Sequence, residues 1–275
     1  MKTIPLIHDK DAEAAKCSAK LVVDVHRELT EFLRSGLSLP EIDAFVANKL
    51  HDFKCKSAFL NYRIPGQPPF PSHSCISVND CVVHGTHTMS LAPLQPGDII
   101  SIDIGVLHKG WIGDAAWTWA IEYATEENLR LMQAGKNSLA AGVAAMQPKR
   151  PLMDFAKAVQ EVAEKQYGFH LIRGLGGHGY GKTLHCPPFI SNIVPIHPSE
   201  WPDAWRNFEE GMLIAVEPML SIGTSQIENK RGTWPIFSAD HSISVHYEAD
   251  VLISDEGPID LTEGLQDLPN IVGIN

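Results

Sequence analysis

Two aspartates, Asp103 and Asp114, stand in strand-like runs at 99–106 and 112–121, separated by His108-Lys109-Gly110. On the first run Ile100, Ile102, Ile104 and Val106 take one face, and Ser101, Asp103 and Gly105 the other. A turn centred on His108-Lys109 would set Asp103 directly opposite Asp114 on one face, with Cβ atoms roughly 5 Å apart. Opposed like charges destabilise a sheet unless a cation or a shared proton relieves them. Ser101, Gly105, Ala116 and Thr118 on that face are small or polar and leave room for a further group. On this hairpin alone, a solvated polar face is the simpler account.

The second half of the chain shifts the balance. Glu217 interrupts the apolar run 213–220, and a lone carboxylate there is costly to bury unless paired or metal-bound. In 242–253, Ile243, Val245, Tyr247, Ala249, Val251 and Ile253 share one face, and Ser244, His246, Glu248 and Asp250 the other. A solvated face fits that pattern too, but three such strands in one domain exceed chance. His178 lies among five glycines in Gly174-Leu-Gly-Gly-His178-Gly-Tyr-Gly181, where the backbone can approach closely. The segment has neither the Rossmann nor the Walker spacing. His185 follows, and His84 sits in Val82-Val-His-Gly85. Thirteen histidines are present, so spacing alone singles these out weakly. Asp103, Asp114, Glu217, Glu248 and His178 form a hard-to-borderline donor set suited to Mn, Fe, Co or Zn. Four carboxylates exceed the need of one ion, so two metals roughly 3.5–4 Å apart with a bridging hydroxide are the natural reading.

Helices must position these strands. Apolar spacing at Ala15, Ala19, Val22, Val23, His26, Leu29 and Phe32 predicts a helix over 11–33. Pro40 and Asp43 open a second helix to about 53. The plan repeats: a helix over 125–142, another opened by Pro151 and Asp154 to about 167, then strands at 211–220 and 242–253. Pro40-x-x-Asp43 echoes Pro151-x-x-Asp154. Gly97-Asp-Ile-Ile-Ser-Ile-Asp103 echoes Gly211-Met-Leu-Ile-Ala-Val-Glu217. This predicts one internally duplicated α/β domain over 1–275, with halves near 11–121 and 125–253 and a site between them.

The 275 residues carry a net charge of −11, which disfavours nucleic acid or an anionic membrane as a partner. No stretch approaches the ~18 apolar residues of a membrane span. The start MKTIPLIHDKDAEAAK lacks a leader's apolar run, so a cytoplasmic protein is expected. Cys17, Cys55, Cys75, Cys81 and Cys186 are scattered without C-x-x-C, which argues for reduced thiols and against structural zinc.

Taken in order, Cys75-Ile-Ser-Val-Asn-Asp-Cys-Val-Val-His84-Gly, Pro96-Gly-Asp-Ile-Ile-Ser-Ile-Asp103, Gly113-Asp114, Gly177-His178-Gly-Tyr-Gly-Lys-Thr-Leu-His185, Ala215-Val-Glu217-Pro-Met and Ser244-Val-His-Tyr-Glu248 form a specific set. With it the chain resembles the methionine aminopeptidases, from about 11 to 261. The resemblance implies the α/β pita-bread fold: pseudo-twofold duplicated, an antiparallel sheet with helices on its outer face. It implies removal of initiator methionine by hydroxide attack at a dinuclear centre of Co, Mn, Fe, Zn or Ni. Asp103 would chelate one metal, Asp114 and Glu248 would bridge the pair, and His178 and Glu217 would complete the shell of the second metal. Glu217 would accept the proton, and His84 and His185 would bind and polarise the substrate. Phe70, Cys75 and Trp234 match methionine-pocket positions, whose apolar, sulfur-tolerant walls suit a thioether.

The 31 residues between His185 and Glu217 leave no room for the type II helical insertion, so the short type I form is implied. Implied partners are nascent protein or peptide N-termini and the ribosome, with a monomeric enzyme. The chain departs from the family in a long proline-rich 57–71 segment, in Leu184, Cys186 and Ala115, and in an extended 196–210 loop with two tryptophans. None of these removes a ligand, but they make methionine less secure than aminopeptidase. The alternatives are an Xaa-Pro peptidase of the same fold, whose large N-terminal domain finds no room before His84, and a non-catalytic peptide-binding paralogue.

Overall fold

The structure is a computed structural model that describes residues 4–274; residues 1–3, the start of the stretch considered above for a leader, lie outside it. The first half runs through helices α1 (Asp9–Phe32) and α2 (Leu39–Asp52), then strands β1 (Lys56–Ser57), β2 (Cys75–Val78), β3 (Cys81–Val83), β4 (Ile99–His108) and β5 (Trp111–Ile121). The second half has α3 (Glu126–Ala145) and α4 (Met153–Gln160), the latter continued by a π-helical turn at Glu161–Gln166. Strands follow at β6 (His170–Leu171), β7 (Gly176–Gly179), β8 (Cys186–Ser191), β9 (Leu213–Val216), β10 (Met219–Ser221) and β11 (Ile227–Asn229). The chain finishes with β12 (Ile236–Ser238), β13 (Ser244–His246), β14 (Ala249–Ile253), β15 (Pro258–Asp260) and β16 (Ile271–Val272).

The strands form a five-stranded sheet β1-β4-β5-β16 with β2 on β4, a second five-stranded sheet β15-β14-β9-β7-β8, and two three-stranded sheets, β13-β10-β6 and β11-β12-β3. Every pairing is antiparallel except β16 on β5. The expected antiparallel architecture is present and, among the described residues, is spread over four sheets with one parallel edge at β16. Among the described residues no helix is long and apolar enough to cross a membrane.

α1 lies across β4 and β5 and buries Ala15, Ala19, Val22 and Leu29 completely. Its close seat depends on Gly113, where an added Cβ would stand 2.6 Å from the Ala19 nitrogen and the Ser18 carbonyl. His26, fully buried on that face, meets the Ala115 carbonyl at 3.0 Å. α2 opens on a capping box, with the Glu41 carboxylate accepting the Ser38 N–H at 2.8 Å. Asp43, expected to help open this helix, turns elsewhere. It accepts the backbone N–H groups of His73 and Ser74 at 2.8 and 3.0 Å and so ties down the approach to β2.

The β4–β5 turn corrects one expectation. Lys109 and Gly110, at φ 49° and 83°, are its two central residues, and His108 pairs with Trp111. Two successive positive φ values make the tight mirror-image turn that suits a twisted hairpin. The register is thereby moved one residue along each strand. Asp103 pairs with Ala116 and Asp114 with Gly105, so the aspartates are diagonal neighbours on one face rather than directly opposed.

A second correction concerns 211–220 and 242–253, which are not continuous strands. Each breaks at its carboxylate: Glu217-Pro218 separates β9 from β10, and Tyr247-Glu248 separates β13 from β14. Proline has no N–H for a ladder, and the two strands on either side of each break enter different sheets.

Candidate active site

The polar face of the β4–β5 hairpin is covered by the second half of the chain, not by water. Ser101, Asp114 and Thr118 are all buried. Ser101 and Thr118 share a hydrogen bond of 2.8 Å, and the Thr118 hydroxyl donates to the His246 carbonyl at 2.7 Å. The Glu248 N–H donates to the Ala116 carbonyl at 2.9 Å. The same pattern in 244–250 is equally closed, with Ser244, His246, Glu248 and Asp250 at most 3% exposed. A solvated face is therefore excluded at both places.

All ten residues singled out from the sequence line one cavity of about 370 Å³. Asp103 comes from β4, Asp114 from β5 and His178 from β7, while Glu217 and Glu248 come from the two strand breaks. His178 Nε2 is 3.8 Å from Asp114 and 3.9 Å from Glu217. Asp114, His178 and Glu248 offer donor atoms within 4.8 Å of one another. One oxygen each of Asp103 and Asp114 is buried without a hydrogen-bond partner. Unsatisfied buried carboxylate oxygens are costly, and a cation held between them would satisfy them.

Electrostatics agree with the geometry. Burial, followed by the field of Glu217, pushes Asp114 up to about 8, and burial pushes Glu217 up to about 8. Asp103 and Glu248 are held well above the usual carboxylate range by burial, then by Asp114. Without a cation, then, the cluster retains protons at neutral pH. His178 is lowered to about 3 by burial and by His185, so it is a neutral donor. These residues fit divalent metal: a hard oxygen set, one neutral imidazole, and formal carboxylate charge equal to that of two dications.

His84 directly follows β3 at φ 56°, a strained value for a residue with a side chain. Burial, His246 and His185 lower it to about 4. His185 Nδ1 meets the Tyr62 hydroxyl at 2.6 Å, and its ring lies 4.3 Å from that of His178. Phe70 and His84 both meet Trp234 edge-on, with ring centres 5.2 and 5.9 Å away. The indole N–H of Trp234 donates to the Pro68 carbonyl at 2.9 Å and so pins the proline-rich segment over the cavity. Cys75 pairs with Asp103 across β2 and β4, and it is a free thiol like the other four cysteines.

Sequence reasoning missed Phe59 and Tyr62, which also line the cavity, although both lie in the 57–71 segment already marked as unusual. It placed His246 on the polar face of 242–253 without a role, and its Nε2 is 3.5 Å from Glu217. Asp250 was read as part of a face and nothing more. A second cavity of about 560 Å³ shares His84, His178, His185 and Glu217 with the first and continues over Pro187, Phe189 and Leu175.

The model of metallopeptidase family M24 matches residues 13–255. The chain is 33% identical to the methionine aminopeptidase of Aquifex aeolicus, over 94% of this chain and 99% of the relative. Among solved structures, the methionine aminopeptidase of Rickettsia prowazekii superposes with a TM-score of 0.87 at 26% identity, over 94% of this chain and all of that one. That of Thermotoga maritima gives 0.86 at 29% identity, over 94% and 99%.

Proposed function

Because the chain belongs to metallopeptidase family M24, we infer that it is a methionine aminopeptidase, a metal-dependent exopeptidase that removes the N-terminal methionine of nascent proteins. One observation carries the reading: a single cavity joins an apolar end at Phe59, Phe70 and Trp234 to the carboxylate–histidine cluster. An N-terminal side chain placed there brings its peptide bond to the cluster, and the chain beyond that bond enters the second cavity.

In this reading Asp103, Asp114, His178, Glu217 and Glu248 hold two divalent cations of the Co, Mn, Fe, Zn or Ni class. When bound, such ions supply Lewis acidity and a water of lowered pKa. Asp103 would serve one ion, Asp114 and Glu248 would be shared, and His178 and Glu217 would serve the other. Glu217 accepts the proton of the attacking water and returns it to the leaving amine, a general acid–base role open to a carboxylate that faces the cavity at the cluster. His84 and His185 are neutral at pH 7 because burial lowers both, so each can donate an N–H to the scissile peptide without repelling the substrate's α-amino group. The Tyr62 hydroxyl on Nδ1 leaves His185 Nε2 free for that task. Phe59, Phe70 and Trp234 exclude water from the thioether end. The short His185–Glu217 connection marks the type I form. Nascent and free polypeptide N-termini as substrates, contact with the ribosome, a monomeric state and a cytoplasmic location complete the proposal.

The test is hydrolysis of Met-Ala-Ser and Ala-Pro peptides by protein loaded with Mn or Co, beside Asp103→Asn. Turnover of Met-Ala-Ser that is lost in the variant is expected. No turnover of any unblocked peptide with any metal overturns the enzyme, and cleavage of Xaa-Pro substrates alone replaces it with a proline-specific peptidase.

A further inference from the structure

Asp250 is a fifth buried carboxylate beside the cluster, and the mechanism gives it no part. It lies fully buried on β14, two residues after Glu248. Its Oδ2 accepts the backbone N–H of Asp114 at 2.8 Å, so this oxygen faces the main chain of a cluster residue rather than the convergence point of Asp114, His178 and Glu248. Beside that bond, the Glu248 N–H donates to the Ala116 carbonyl. β5 and β14 belong to different sheets, so no strand ladder continues between them here. At the cluster, these two bonds hold the strand that carries Asp114 against the strand end that carries Glu248.

Asp250 is itself a fixed post. Its residue pairs with Ala215 on β9, its N–H donates to the Thr262 hydroxyl at 3.1 Å, and its carbonyl accepts the Leu261 N–H at 2.8 Å. A carboxyl group is an expensive choice for such a site, because burying its polar oxygens costs more than burying an apolar side chain. What it provides that an apolar residue cannot is an acceptor for an N–H that would otherwise be buried unpaired.

We propose that Asp250 is a positioning residue for the metal centre. Its carboxylate takes the place of the backbone carbonyl that a neighbouring strand would supply. It thereby fixes the Asp114 main chain against β14 and keeps Asp114 and Glu248 close enough to share one ion. The proposal rests on the metallopeptidase reading of the cluster. Groups that orient metal ligands typically change metal affinity 10–100-fold when removed.

The experiment is a calorimetric titration of Mn(II) into the metal-stripped full chain for wild type, Asp250→Asn and Asp250→Val. Asn keeps an acceptor oxygen and removes the charge; Val keeps a strand-forming shape and removes the acceptor. Expected is an affinity within about threefold of wild type for Asn and a loss of roughly 10–100-fold for Val. Wild-type affinity in the Val variant overturns the proposal. An Asn variant as weak as Val also overturns it, because the charge rather than the hydrogen bond would then be responsible. Should the Val variant not fold, hydrogen exchange of the Asp114 amide decides. Slow exchange in metal-free wild type and Asn supports the post, and fast exchange in wild type refutes it. A wild type that binds no divalent cation refutes the metallopeptidase reading instead.

Discussion

Stripping divalent cations should make the protein less stable as pH rises from about 6.5 to 8, and restoring them should abolish or reverse that slope. Asp114 and Glu217 stand at about 8 in the folded protein, far above the ordinary carboxylate range. A raised carboxyl pKa means that the native state binds more protons than the unfolded chain, so stability falls as pH climbs towards the folded pKa. The buried histidines act the other way but in a lower window. His26, His84, His178 and His246 are lowered to between about 3 and about 4, so their opposing effect is half spent at the unfolded value near 6.5 and nearly spent about one pH unit above it. Lys136, lowered to about 8 by burial, contributes only above that pH. The exposed His241, raised by its bond to Asp80, moves in the same sense as the carboxylates, so the comparison belongs in a His241→Gln background. One net proton is worth about 1.4 kcal/mol per pH unit, or about 2 kcal/mol over this interval. For a chain of this length that is a Tm drop of roughly 4 °C. Metal at ~100 times its Kd should add about 2.7 kcal/mol. Because the ligands bind metal in their deprotonated form, that gain grows with pH. Differential scanning calorimetry at constant ionic strength, with chelator and then with Mn, reads both slopes. A metal-free Tm that is flat or rising across the interval would refute the view that the cluster holds its protons until a cation replaces them.

Glu217→Gln should lower kcat by about 10²–10⁴ with the circular dichroism spectrum unchanged, since the amide cannot accept the proton; full activity would move that role elsewhere. Trp234→Ala removes an apolar wall and the anchor on Pro68, so KM for Met-Ala-Ser should rise about tenfold or more with a smaller change in kcat. Tyr62→Phe deletes the hydrogen bond that orients His185, and kcat should fall roughly tenfold at unchanged Tm. Gly113→Ala places a methyl against the α1 backbone and should lower stability by about 1–3 kcal/mol, seen as a reduced denaturation midpoint.

Residue types and periodicity determined a great deal of this protein. The helical spacing of Ala15, Ala19, Val22 and Leu29 is the face that α1 buries on the sheet. The alternation of Ile100, Ile102, Ile104 and Val106 marks the core face of β4. The donor types at Asp103, Asp114, His178, Glu217 and Glu248 named a class of chemistry before any distance was known. Tertiary structure decided the rest, because it depends on pairings between residues far apart in the chain. The hairpin register turned on whether Lys109 or His108 shares the tight turn with its neighbour, which alternation alone does not encode, since both registers keep the two aspartates on one face. The breaks at Glu217 and Glu248 arise because flanking strands join different sheets, although the apolar pattern runs straight through both. Whether the polar faces of 99–121 and 242–253 meet water or each other was undecided locally, because a polar face against solvent and a polar face against its counterpart have the same pattern. Only the packing of the two halves closed those faces together, orphaned the buried carboxylate oxygens and set Asp250 against the Asp114 backbone.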